Sequence, residues 1–139
     1  MNAIDRLGSD RGVQTSAHSM EHPLSGYYDI SHGLGVAVLM PAWLKYIFSD
    51  ETVPRMADMG RNVFGLSAEL SDRDCAREAI VALEEFLTGI GCPLTLWDLG
   101  ITEDRYFTEM AKQASIRTPN SFIPLTAEDV EKIYRSCWK

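Results

Sequence analysis

Apolar side chains recur along most of this sequence at the three- and four-residue spacing of a helix, and no five-residue stretch of strict apolar and polar alternation offers a credible strand. The fold class expected is therefore all-α. A chain of 139 residues can bury one sizeable core, so residues 1–139 are read as a single helical domain. The clearest helix starts at Ser71, an N-cap residue followed by Asp72 and Asp74, whose carboxylates oppose the positive end of the helix dipole. Its buried stripe is Ala76, Ile80, Leu83, Leu87 and Ile90, and Gly91 with Pro93 supplies the stop.

The same signals place a helix end at Met1 to Leu7, a connector from Gly8 to Gly12, and a helix from Thr15 to Tyr27. Asp29 to Ser31 form a turn, a buried helix follows from His32 to Phe48, and Ser49 to Glu51 interrupt it before a helix from Thr52 to Phe64. A further helix is expected from Thr102 to Ala114. Thr126 and Asp129 have the spacing of a capping box for the last one, which buries Val130, Ile133, Tyr134 and Cys137.

Composition excludes several function classes. The formal net charge is −7 with acidic residues spread along the chain, which disfavours nucleic acid as a partner because phosphate binding needs clustered Lys and Arg. The apolar run Gly33 to Leu44 contains Pro41 and falls short of the ~20 residues that cross a bilayer, and no signal-peptide pattern opens the sequence, so neither a membrane nor secretion is expected. Cys75, Cys92 and Cys137 are odd in number and in no metal-binding spacing, so they are read as packing residues of a reduced, cytoplasmic protein. Trp43, Trp97 and Trp138 stand too far apart to suggest a stacking platform, and Tyr27 and Tyr28 are read as core and cleft lining.

The chemistry concentrates in three histidines, His18, His22 and His32, which fall within fifteen residues. Imidazole is the commonest protein ligand for divalent iron or zinc, so spacing has to select the arrangement. His18, Glu21 and His22 spell H-x-x-E-H, the pattern of an inverted zinc peptidase. Pro23 follows at once and should kink the helix where that site needs regular geometry, which counts against it. The alternative pairs His18 with His32, fourteen residues apart, across a helix, a turn and the start of the next helix.

Taken whole, HSMEHPLSGYYDISHGLGVAVLMPAWLKY resembles the signature region of the iron-containing (group III) alcohol dehydrogenases: a His, a second His four residues on, then His-Gly before an apolar helix. The MNAID before it, Pro41, Ala42 and Trp43 within it, and FLTGIGCPLTLWDLGI after it resemble the NADPH-dependent butanol dehydrogenase and aldehyde reductase branch. The resemblance implies a helical bundle like the C-terminal domain of that family, with dehydroquinate synthase-like architecture. It implies that His18 and His32 are ligands of Fe²⁺ or Zn²⁺ and that His22 is a catalytic proton relay without being a ligand. The reaction implied is hydride transfer between NAD(P)H and a small alcohol or aldehyde.

The glycine-rich nucleotide-binding turn and the remaining metal ligands of the family have no counterpart in the sequence, so the chain is expected to be a C-terminal portion, truncated at its N-terminal end and inactive alone. Its expected partner is an N-terminal nucleotide-binding half, and apolar surface left bare should promote self-association. The competing expectation is a non-catalytic helical oligomerisation or binding module. Glu21 and Asp29 are the nearby carboxylates able to complete a metal site, although each is read first as a solvated or capping group.

Overall fold

The computed structural model describes residues 16–139, and among them the chain forms six α-helices and one short 3-10 turn with no strand. The helices are α1 (Ser16–Tyr28), α2 (His32–Tyr46), α3 (Val53–Phe64), α4 (Asp72–Gly89), α5 (Phe107–Ala114) and α6 (Ala127–Ser136), with the 3-10 turn at Thr118–Asn120. The helix end expected at Met1 to Leu7 and the connector from Gly8 to Gly12 lie outside the described residues.

The bundle is built from three packed pairs, α1 with α2, α3 with α4, and α5 with α6, tied together by contacts of α1 with α5 and of α2 with α4 and α6. Met20 and Leu24 of α1, Leu39 of α2, Phe107 and Met110 of α5, and Ile133 and Tyr134 of α6 fill the centre with no solvent exposure. In α3 and α4 the contact is made by small residues. A methyl group on Gly60 would come within 3.0 Å of Cys75 Sγ and 3.1 Å of Ala79 Cβ, so the two backbones approach as closely as the glycine allows.

Several helix ends follow the rules read from the sequence. Ser71 Oγ accepts the Asp74 amide at 3.1 Å. Gly91 adopts φ +83° and donates to Thr88 O while Cys92 donates to Leu87 O, the paired bonds of a glycine-terminated helix. At α6 Thr126 Oγ1 accepts the Asp129 amide and Asp129 accepts the Thr126 amide, a complete capping box, and Val130, Ile133, Tyr134 and Cys137 are buried.

Two expectations need correction. The helix expected from Thr102 begins only at Phe107, because tertiary contacts claim the residues before it: Asp104 pairs with Arg135 at 2.7 Å and Tyr28 Oη donates to Glu103 O at 2.9 Å. Ile90, assigned to the buried stripe of α4, is 61% exposed. Ile90 is the C-cap residue, one past the last helical residue Gly89, where the spacing that buries Leu87 no longer holds.

The three cysteines are free, Cys75 and Cys137 are buried, and burial pushes the Cys137 thiol up to about 12, as suits packing residues. No helix among the described residues is long and apolar enough to cross a membrane. Trp97 and Trp138, distant in sequence, come together with ring centroids 6.3 Å apart because Leu96 and Trp97 donate backbone hydrogen bonds to Cys137 and Trp138.

Candidate metal centre

The α1–α2 hairpin carries all three histidines. His18 and His22 are one turn apart and share a face of α1. A three-residue turn, in which Asp29 takes the left-handed φ of +52°, reverses the chain so that α2 opens with His32 against that face. The His18 and His32 rings stack with centroids 4.9 Å apart and planes inclined by 17°. His22 completes the cluster at 6.2 Å from His18 and 5.6 Å from His32. One nitrogen of each ring lies within 4.8 Å of the others.

Pro23 sits buried inside α1, which runs on through it to Tyr28. Proline has no N–H, so the Ser19 carbonyl loses its helical donor, and the turn bearing the histidines is secured instead from α6, where Tyr134 Oη donates to Met20 O at 2.6 Å.

The electrostatics suit a cation. Burial, reinforced by the neighbouring His32 and His22, holds the His18 imidazole below its ordinary pKa, which keeps it neutral and able to donate a lone pair. Its Nδ1 is buried with no hydrogen-bond partner among the described residues. Three imidazoles, one of them with an unsatisfied buried nitrogen, form a donor set that fits divalent iron or zinc.

Glu21 departs from its sequence reading. It is neither solvated nor a cap: its side chain has no solvent exposure, one oxygen accepts a hydrogen bond from Ser25 Oγ, and the other is paired with His32 Nδ1. A carboxylate so engaged cannot serve a water molecule in the open cleft, which disposes of the peptidase arrangement. Asp29 is exposed in its turn, as expected.

Beside the cluster, a groove of about 480 Å³ runs from His22 along Tyr27 and Gln113 to Ile116 and Arg117. Gln113 Nε2 donates to Tyr27 Oη at 2.9 Å and fixes one wall of it.

With this geometry in hand, similarity to known proteins decides the family. The C-terminal model of the Fe-containing alcohol dehydrogenase family matches residues 10–138. The chain belongs to the iron-containing alcohol dehydrogenase family. It is 40% identical over 141 residues to NADH-dependent butanol dehydrogenase A of Clostridium acetobutylicum, covering 99% of this chain and 36% of that protein. Among solved structures it is similar to NADH-dependent butanol dehydrogenase A of Thermotoga maritima, with a TM-score of 0.78 and 26% identity over 92% of this chain and 34% of that one. It is also similar to a 1,3-propanediol oxidoreductase, with a TM-score of 0.77 and 31% identity over 88% of this chain and 32% of that one. The chain thus spans about a third of the length of these alcohol dehydrogenase relatives.

Proposed function

We propose that this chain forms the helical wall of the catalytic cleft in a metal-dependent alcohol dehydrogenase or aldehyde reductase that uses NAD(P)H. The observation that carries the reading is the approach of His18 and His32 from successive helices, with ring centroids 4.9 Å apart and candidate ligand nitrogens within 4.8 Å of each other. In this reading His18 and His32 hold Fe²⁺ or Zn²⁺, and the bound ion supplies Lewis-acid polarisation of the substrate oxygen. His22, exposed at the mouth of the groove, takes the hydroxyl proton at a ring nitrogen during oxidation and returns it during reduction. Tyr27, Gln113 and Arg117 line the space for the rest of a small alcohol or aldehyde.

The nicotinamide cofactor is assigned to an α/β nucleotide-binding portion that packs against the open side of the histidine cluster. His32 has 47% of its side chain exposed there, and Leu34 two residues on is also exposed. The relatives from Clostridium and Thermotoga are named as NADH-dependent, which favours NADH over the NADPH suggested by the sequence signature. Without that portion, the apolar residues at this face and at the end of α4, Phe86 and Ile90, favour self-association. Free thiols suit a cytoplasmic setting.

Reconstitution tests the proposal. The chain joined to the nucleotide-binding portion of a butanol dehydrogenase, with Fe²⁺ or Zn²⁺ and NADH or NADPH, should reduce a short aldehyde. His18→Ala and His32→Ala should each abolish both metal retention and turnover. His22→Ala should keep the metal and slow turnover by roughly 10²–10⁴-fold. Undiminished activity in His18→Ala or His32→Ala would remove the ligand assignment.

A further inference from the structure

The histidine cluster rests on a buried carboxylate that none of the roles above uses. Glu21 follows Met20, whose carbonyl is held by Tyr134, and its side chain turns into the α1–α2 interface with no solvent exposure. A buried carboxylate persists only where hydrogen bonds replace its water. Two do so here: Ser25 Oγ, one turn on along α1, donates to Oε1, and His32 Nδ1 meets Oε2. The contact needs one proton between the two atoms, and in the arrangement inferred here His32 Nδ1 carries it and donates to the carboxylate. The lone pair of the ring is then left on Nε2, and the ring cannot rotate without stranding the buried oxygen.

Gly35 supplies the room. It lies three residues after His32 on the same face of α2, and a methyl group there would stand 2.8 Å from both Cγ and Oε1 of Glu21 and 3.2 Å from Cδ. The obstruction includes the stem of the side chain as well as its tip. Any side chain at position 35 must therefore displace the carboxylate from His32.

We infer that Glu21 is a positioning residue that fixes the tautomer and ring orientation of His32, and that Gly35 is the clearance that lets it do so. The inference rests on His32 being a ligand, as proposed above. A ligand histidine whose second nitrogen donates to a carboxylate is oriented and made more basic by it, and loss of such a partner weakens metal binding. Glu21 and Gly35 thus act on a cation through His32, without touching it.

The test uses the full chain with ¹⁵N-labelled histidine, reading the His32 tautomer by NMR and Zn²⁺ affinity by calorimetry. In the wild type His32 should carry its proton on Nδ1. Glu21→Gln should keep that tautomer, since an amide can accept from His32 and donate to Ser25 Oγ, and should weaken Zn²⁺ binding least. Glu21→Leu should abolish the tautomer preference and weaken Zn²⁺ binding by roughly 10–100-fold. Gly35→Ala should match Glu21→Leu at His32. The double variant Glu21→Ala with Gly35→Ala, in which the new methyl fills vacated space, should regain thermal stability over Gly35→Ala without regaining the tautomer. A role confined to packing would change melting temperature and leave the His32 tautomer alone in all of these variants, and that result would overturn the inference. Because the family's remaining metal ligands have no counterpart in this sequence, Zn²⁺ affinity is read on the chain joined to the nucleotide-binding portion of a butanol dehydrogenase; if that wild type fails to bind Zn²⁺, the ligand assignment falls, whereas the tautomer shifts still decide for or against Glu21.

Discussion

Two of the three helical pairs solve opposite problems. In the α3–α4 hairpin the local choices at the helix contact and at both ends of α4 agree with the fold: Gly60, Cys75 and Ala79 let the helices touch, Ser71 caps one end, and Gly91 closes the other. In the α1–α2 hairpin such rules are broken repeatedly. Each helix holds a proline in its interior, Ser31 begins α2 without a side-chain cap, Asp29 takes a left-handed backbone, and the interface encloses a carboxylate and an unsatisfied imidazole nitrogen. Departures from local consistency are expected to gather where function constrains the chain, and here they gather around three histidines. Under the proposed function, the α3–α4 hairpin supplies stability, while the α1–α2 hairpin gives up part of it to hold the histidine cluster.

If that division holds, damage to α3–α4 should cost folding and leave the site's intrinsic properties alone. Gly60→Val forces a branched side chain against Cys75, Leu66 and Ala79, and should destabilise the fold by about 1–3 kcal/mol in denaturant titrations. Zn²⁺ affinity per folded molecule should stay within a factor of two or so, since each 1.4 kcal/mol of true coupling would be roughly tenfold.

Tyr134 ties the third pair to the α1–α2 hairpin, because a core residue of α6 holds the backbone turn between His18 and His22. Tyr134→Phe should cost about 1–2 kcal/mol of stability through the loss of a buried hydrogen bond to Met20 O. Unlike Gly60→Val, it should also lower metal affinity. Equal affinity in the two variants would show that α6 does not support the site.

A smaller effect is expected at the cap of α6. Thr126→Ala removes one side of the capping box and should cost about 1 kcal/mol with no change at the histidines.

The smallest effect concerns acid. Tyr46 and the backbone and side chain of Thr126 hold the Asp129 carboxyl below its usual range, and Arg135 does the same for Asp104 and Glu131. These carboxylates bind protons less readily folded than unfolded, so their contribution is present above the ordinary carboxylate pKa of roughly 4 and is lost as pH falls through it. Denaturation midpoints should therefore decline below about pH 4, more shallowly in Asp129→Asn, after a separate decline that begins near pH 6.5 and belongs to His18, whose imidazole is held below its ordinary value in the fold and takes up its proton more readily unfolded.

Legibility in the sequence followed the same division. The caps at Ser71 and Thr126 and the stop at Gly91 were readable because each depends on residues within one turn of it. The histidines were readable as a spacing pattern, and the hairpin brings His18 and His32 together as that pattern requires. What the sequence hid were effects of distant partners. The late start of α5 depends on Arg135 and Tyr28, and the Trp97 and Trp138 pair on backbone bonds between remote loops. Glu21 was misread as solvated because composition makes a buried carboxylate improbable. The signal that points to it is Gly35, a glycine in a helix interior three residues after a histidine, which leaves room for the close approach of a neighbour.

X-ray absorption at the metal edge of the Zn²⁺- or Fe²⁺-loaded enzyme containing this chain tests the central claim most directly. The account predicts imidazole scattering in the wild type that diminishes, with loss of bound metal, in His18→Ala and in His32→Ala, and that persists in His22→Ala. Spectra unchanged by removing His18 or His32, or a metal lost only with His22, would contradict it.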